Sequence, residues 1–136
     1  MAISLRVLQE SDYENILLGW WSDWNFAAPP KDSLPFDGKG GFMCMYEDEP
    51  VCAGFLYLTN SKICWVDWII SSKTFRKKPF RQQCILTLLQ NLTETGKSKG
   101  CKYSYALIKH RGLIESYKEL GYSEGDSYTS EMIKTL

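Results

Sequence analysis

Asp67 is the one charged residue in Ile63-Cys64-Trp65-Val66-Asp67-Trp68-Ile69-Ile70, a stretch that is otherwise apolar on both faces. A carboxylate set between Trp65 and Trp68 loses water, which disfavours its charged form and raises its pKa. Such a group can take a proton from an attacking nucleophile, directly or through water. The alternative is a structural carboxylate bonded to neighbouring backbone or to a tryptophan N–H. A second cluster is basic: Phe75-Arg76-Lys77-Lys78-Pro79-Phe80-Arg81-Gln82, at the entry to a helical pattern. A helix start presents unpaired amides and a partial positive charge that together bind phosphate oxygens. Cations there oppose the macrodipole, an arrangement that makes sense when an anion sits between them. Without an anion the run is a solvated helix entry.

Other chemistry is excluded by composition. There is one histidine, His110, and no pair among Cys44, Cys52, Cys64, Cys84 and Cys101 has C-x-x-C spacing, so no metal site is expected. The odd cysteine count and the apolar setting of three of them point to reduced thiols in a cytoplasmic protein. Acidic and basic residues balance at sixteen each, so no global field draws the chain to nucleic acid or an anionic membrane. The basic run also lacks the interleaved aromatics of a nucleic-acid surface. No apolar run approaches the ~20 residues of a membrane helix. The start, Met1-Ala2-Ile3-Ser4-Leu5-Arg6, has no charged leader with an apolar segment behind it.

These residues need elements to position them, and 136 residues fit one domain over 1–136. Ile3, Leu5 and Val7 alternate as in a strand with one buried face. Ser11-Asp12-Tyr13-Glu14 reads as a capping box, opening a helix with Tyr13, Ile16, Leu17, Trp20, Trp21 and Trp24 in a stripe. Three tryptophans in five positions are too many for one inward face, which leaves one for an acceptor groove or a homodimer contact. Residues 27–41 read as a long loop ending in Gly41. Gly41–Glu47, Val51–Leu58 and Ile63–Ser71 then form an antiparallel meander with turns at Asp48-Glu49-Pro50 and Thr59–Lys62. Phe80, Cys84, Ile85, Leu88, Leu89 and Leu92 line a helix whose frayed end lies between Gly96 and Gly100. A strand at Cys101–Ile108 pairs parallel with the central strand through a right-handed crossover. Leu113, Ile114, Tyr117 and Leu120 mark a last helix capped by Gly121, and residues 127–136 a closing strand.

This α+β (α/β) order, with a mixed central β-sheet flanked by helices, resembles the GNAT-type acyl-CoA N-acyltransferases. Ser116-Tyr117-Lys118-Glu119-Leu120-Gly121-Tyr122 is similar to that family's Tyr-x-x-x-Gly-aromatic segment near the C-terminus. The family's Arg/Gln-x-x-Gly-x-Gly/Ala loop falls on Arg76–Arg81, where Pro79 and Arg81 replace both glycines. Pro79 removes an amide donor, although proline is well tolerated in a first helical turn. Small phage-encoded acetyltransferase-like proteins, which diverge in this loop, are the most similar group.

The resemblance implies acetyl-CoA as cosubstrate and an amine-bearing small molecule or protein as acceptor. It implies a splay between the two parallel strands that opens a slot for the pantetheine arm. Tyr117 would then face the slot with its hydroxyl free and donate a proton to the leaving thiolate, unless it only packs its ring. Asp67 would be the base. Ile69, Ile70 and Ser71, with Arg76, Lys77, Lys78, Pro79, Phe80, Arg81 and Gln82, would line the cofactor. His110 falls where the family contacts the cofactor through asparagine, and is otherwise a surface-turn residue. Two functions follow: an N-acetyltransferase, or a GNAT-fold binding module that has lost catalysis with its loop glycines.

Overall fold

Strand-forming and helix-forming patterns follow one another along residues 2–136, which the computed structural model describes. Strands β1 (Ile3–Val7), β2 (Gly41–Tyr46), β3 (Glu49–Leu58), β4 (Ile63–Ser71) and β5 (Tyr103–Tyr105) lie in chain order in one sheet. The first three contacts are antiparallel, and β4 pairs parallel with β5. The β2–β3 turn is Glu47-Asp48, not Asp48-Glu49-Pro50. Both residues have positive φ, 49° and 64°, the backbone that matches hairpin twist.

The sheet separates two cores. On one side a π-turn at Tyr13–Leu17 leads into α1 (Leu18–Asp23). Leu17, Trp20 and Trp21 pack there with Met43, Phe55 and Ile70, and Leu34 of the long loop joins them. On the other side α2 (Phe80–Ser98) buries Cys84, Ile85, Leu88, Leu89 and Leu92 against β2–β4, beside Tyr117 of α3 (Arg111–Glu119). Helix α2 ends at Ser98, between Gly96 and Gly100 as expected. A Cβ at Gly96 would stand 2.7 Å from Cys64 Sγ, so this glycine lets the helix approach β4 closely.

Several expectations need correction. The capping box does not form, because no side chain caps this helix start. Asp12 instead accepts the Gln9 amide at 2.7 Å and the Arg6 guanidinium at 2.8 and 2.9 Å. Burial pushes its carboxyl up, but Arg6 and Gln9 outweigh that and hold it below the usual range. Of the three tryptophans, Trp20 and Trp21 are buried, and Trp24 stays half-buried, donating its indole N–H to the Ser71 carbonyl at 2.8 Å. The long loop covers the flank that a lone helix would leave wet. In place of a strand over Cys101–Ile108 only Tyr103–Tyr105 pairs. Residues 127–136 form no strand.

Candidate active site

The central strand breaks its own alternation. Between Ala53↔Ile70 and Phe55↔Asp67 the register shifts by one residue, and Trp68 in the bulge has φ 56°. Positive φ is costly for a bulky side chain and is found where surroundings over-determine it, often beside functional groups. Gly54 faces this bulge, where a Cβ would lie 2.4 Å from Ile69 Cδ1.

Pairing of β4 with β5 ends at Trp65↔Tyr105, and the strands splay beyond it. The polar groups released there are met by side chains. Tyr117, buried on α3, donates its hydroxyl to the Val66 carbonyl at 2.6 Å. Asp67 accepts the Leu107 amide at 3.2 Å on one carboxylate oxygen and 3.1 Å on the other. The two residues proposed for catalysis thus meet one gap: Tyr117 reaches from α3 to Val66, and Asp67 follows Val66 on β4. The Tyr117 hydroxyl is not free of competing bonds, contrary to expectation. A buried phenol and an orphaned carbonyl each need a partner, and the splay supplies one to the other. Burial, the nearby Asp67 charge and Tyr122 raise the Tyr117 pKa, so the phenol stays protonated. Burial pushes Asp67 up to about 6, against the lowering effect of the Leu107 and Trp68 amides.

The basic entry to α2 is built differently. Arg76, Lys77 and Lys78 are exposed. The Arg76, Lys78 and Arg81 amides donate to the carbonyls of Lys73, Phe75 and Lys78, so successive turns consume donors that a phosphate would need. Pro79 takes the N-cap position. Phe80 stacks on Tyr46 with centroids 3.7 Å apart, which anchors the helix start. Arg81 reaches back to the end of β4, donating to Ser71 Oγ at 3.0 Å, while its buried Nε has no partner. Among the described residues these four cations form no ion pair.

The remaining predicted positions divide. Ser71 is buried between Arg81 and Trp24. Ile69 packs toward α2, whereas Ile70 lies in the opposite core. Gln82 turns to α3 and donates to Ser116 Oγ at 2.9 Å, bracing the helix that carries Tyr117. His110 is exposed at the N-cap of α3, in keeping with a surface turn. Sequence reasoning missed the Val66 carbonyl and the Leu107 amide, which as backbone groups leave no signature in residue type. It also missed Tyr122, whose hydroxyl contacts Ser104 Oγ at 2.6 Å and Thr93 Oγ1 at 2.8 Å and fixes β5 to α2. A concavity of about 520 Å³ lies elsewhere, lined by Gln83, Thr87, Asn91 and Glu119. Among the described residues no group of three acidic, histidine or cysteine side chains could hold a metal, and no helix is long and apolar enough to cross a membrane.

No protein-family model matches this sequence, and no curated protein matches it. Solved structures do. A transcriptional regulator from Bacillus halodurans C-125 has a TM-score of 0.65 at 13% identity, over 96% of this chain and 99% of that one. A glucosamine-6-phosphate N-acetyltransferase from Arabidopsis thaliana has 0.64 at 12%, over 98% and 100%. An aminoglycoside N-acetyltransferase in complex with CoA has 0.61 at 14%, over 98% and 95%. Shared architecture at such identities speaks for the fold, while function rests on the site. With its five-stranded mixed sheet and flanking helices, the chain has the GNAT-type acyl-CoA N-acyltransferase fold.

Proposed function

We propose that the protein is an N-acetyltransferase that moves an acetyl group from acetyl-CoA to a primary amine. The observation that carries this reading is the pair at the splay: a protonated phenol at the Val66 carbonyl beside a half-buried carboxylate at the Leu107 amide. Acetyl-CoA supplies an activated thioester. Asp67, ionised above about pH 6, takes the proton that an ammonium must lose before nitrogen can attack. Tyr117 gives its proton to the thiolate as the carbon–sulfur bond breaks, and regains one through solvent as the newly bonded nitrogen sheds its second proton. Release of the Tyr117–Val66 bond is part of that step, since the hydroxyl has one proton to give.

The residues present fit the cosubstrate in part. Arg76, Lys77, Lys78 and Arg81 offer unpaired cations for phosphates, and Arg81 has an orphaned Nε–H. Three amides of this entry are spent in turns and Pro79 has none, so side chains must supply part of the hold on a pyrophosphate. A second reading, a binding module without catalysis, draws on that same loop. Calorimetric titration with acetyl-CoA, followed by measurement of thiol release with a panel of amines, separates the two. Binding with amine-dependent thiol release supports the enzyme, and absence of turnover with every amine favours the module.

A further inference from the structure

The sheet face that carries Asp67 also carries a row of aromatic rings. Tyr57 is the register partner of Trp65, and Trp65 that of Tyr105, so the three sit side by side across β3, β4 and β5. Phe55 and Asp67 pair one step further along the same face. The core under α1 ends at Tyr57, whose hydroxyl donates to the Ser33 carbonyl at 3.1 Å. Beyond it the face is uncovered: Trp65 is half-buried and Tyr105 is 48% exposed. The Trp65 and Tyr105 rings lie 5.1 Å apart at 48°, making an open V. Exposed Leu107, whose amide holds Asp67, extends the apolar surface.

Charge on this face is sparse. On the segments that line it, residues 57–58, 63–69 and 103–107, Asp67 is the one charged side chain. An ionised carboxylate has room for about four hydrogen bonds, and the Leu107 and Trp68 amides leave capacity for an ammonium. A polycation such as a polyamine or aminoglycoside would find one partner here for several charges. A flat apolar cation finds both a ring surface and a counter-ion.

We propose that the acceptor is a singly charged primary amine on a flat apolar body, its ring against Trp65 and Tyr105 and its ammonium at Asp67. This rests on the acetyltransferase reading above. Residues two apart on a strand are separated by about 7 Å, which fits a ring and an amine joined by a short arm, as in an arylethylamine.

The test is calorimetry without acetyl-CoA at about pH 8, where the carboxylate is ionised. The probes are 2-phenylethylamine, its neutral counterpart 2-phenylethanol, and spermidine. The amine should bind about tenfold more tightly than the alcohol, and spermidine more weakly than the aromatic amine. Tyr105→Ala should weaken the amine about tenfold, and Tyr105→Phe should restore it. Asp67→Asn should erase the preference for amine over alcohol. Equal binding of amine and alcohol, tighter binding of spermidine, or an unaffected Tyr105→Ala variant overturns the inference. Preferred acetylation of spermidine or of a peptide lysine overturns it too, and leaves the acetyltransferase reading standing. Absence of acetylation for every amine, with this binding pattern intact, overturns the acetyltransferase reading and leaves an aromatic-amine binding site.

Discussion

The gap between β4 and β5 and the entry to α2 are both polar regions beside the central strand, and they are built on opposite terms. At the gap each polar group has one defined partner: Tyr117 with Val66 and Asp67 with Leu107. Tyr117 is buried, Asp67 half-buried, and Gln82 braces the helix behind them. At the entry, three of four cations are exposed and unpaired, and the Arg76, Lys78 and Arg81 amides are folded into turns. Groups held by packing are pre-positioned, which is what a proton transfer needs. Groups on long flexible stems bind anions at an entropic cost and are screened by salt. The polar groups at the gap are therefore fixed more firmly than the cations at the α2 entry.

The comparison is broken most decisively at Tyr117. Tyr117→Phe keeps the ring and removes the donor, so turnover should fall by ~10²–10⁴ while acetyl-CoA affinity stays nearly constant. The variant also strands the Val66 carbonyl, costing about 1–3 kcal/mol of stability, so thermal unfolding should accompany the kinetics. Unchanged turnover removes the acid role.

Asp67→Asn should lower turnover by about 10² and remove the acidic limb of the pH profile. In the parent protein kcat/KM should fall as pH drops through about 6, where Asp67 gains its proton. Stability runs the other way. The folded pKa is raised, so the folded state favours the proton, and this contribution is complete below the unfolded value of 3.8 and lost as pH rises to about 6. Denaturant titrations across that window should show the loss in the parent and a flatter profile in Asp67→Asn. A profile unaltered by the substitution would assign the limb to another group.

Smaller effects are expected at the α2 entry. Arg81→Glu should weaken acetyl-CoA about tenfold at low salt, because Arg81 is the half-buried cation of the four. Lys77→Gln and Lys78→Gln should each change affinity by about twofold, an effect that vanishes near 1 M salt. Affinity indifferent to all three substitutions would show that the run is solvated surface and sharpen the contrast between the two regions.

The sequence by itself determined the element order and much of the packing. Strand β4 falls at the predicted Ile63–Ser71, because an apolar run of that length between turn residues has few other fates. Helices α2 and α3 follow from apolar spacing, and Gly121 caps α3 with φ 97° as residue type suggested. Asp67 stood out as a lone charge among apolar neighbours, and Tyr117 through the segment that resembles a known family. Tertiary structure alone decided how these two are held. The Val66 carbonyl and Leu107 amide become available only where two strands part, and backbone groups have no residue type to read. It decided the tryptophans as well, since Leu34 of the following loop and the Ser71 carbonyl at the end of β4 meet the helix on the flank that one inward face would leave over. It decided the anion site too, where the turns at Lys73–Arg81 settle which amides remain to bind. Local pattern fixes which residues lie along an element, whereas hydrogen-bond partners across a gap depend on where separate elements stop pairing.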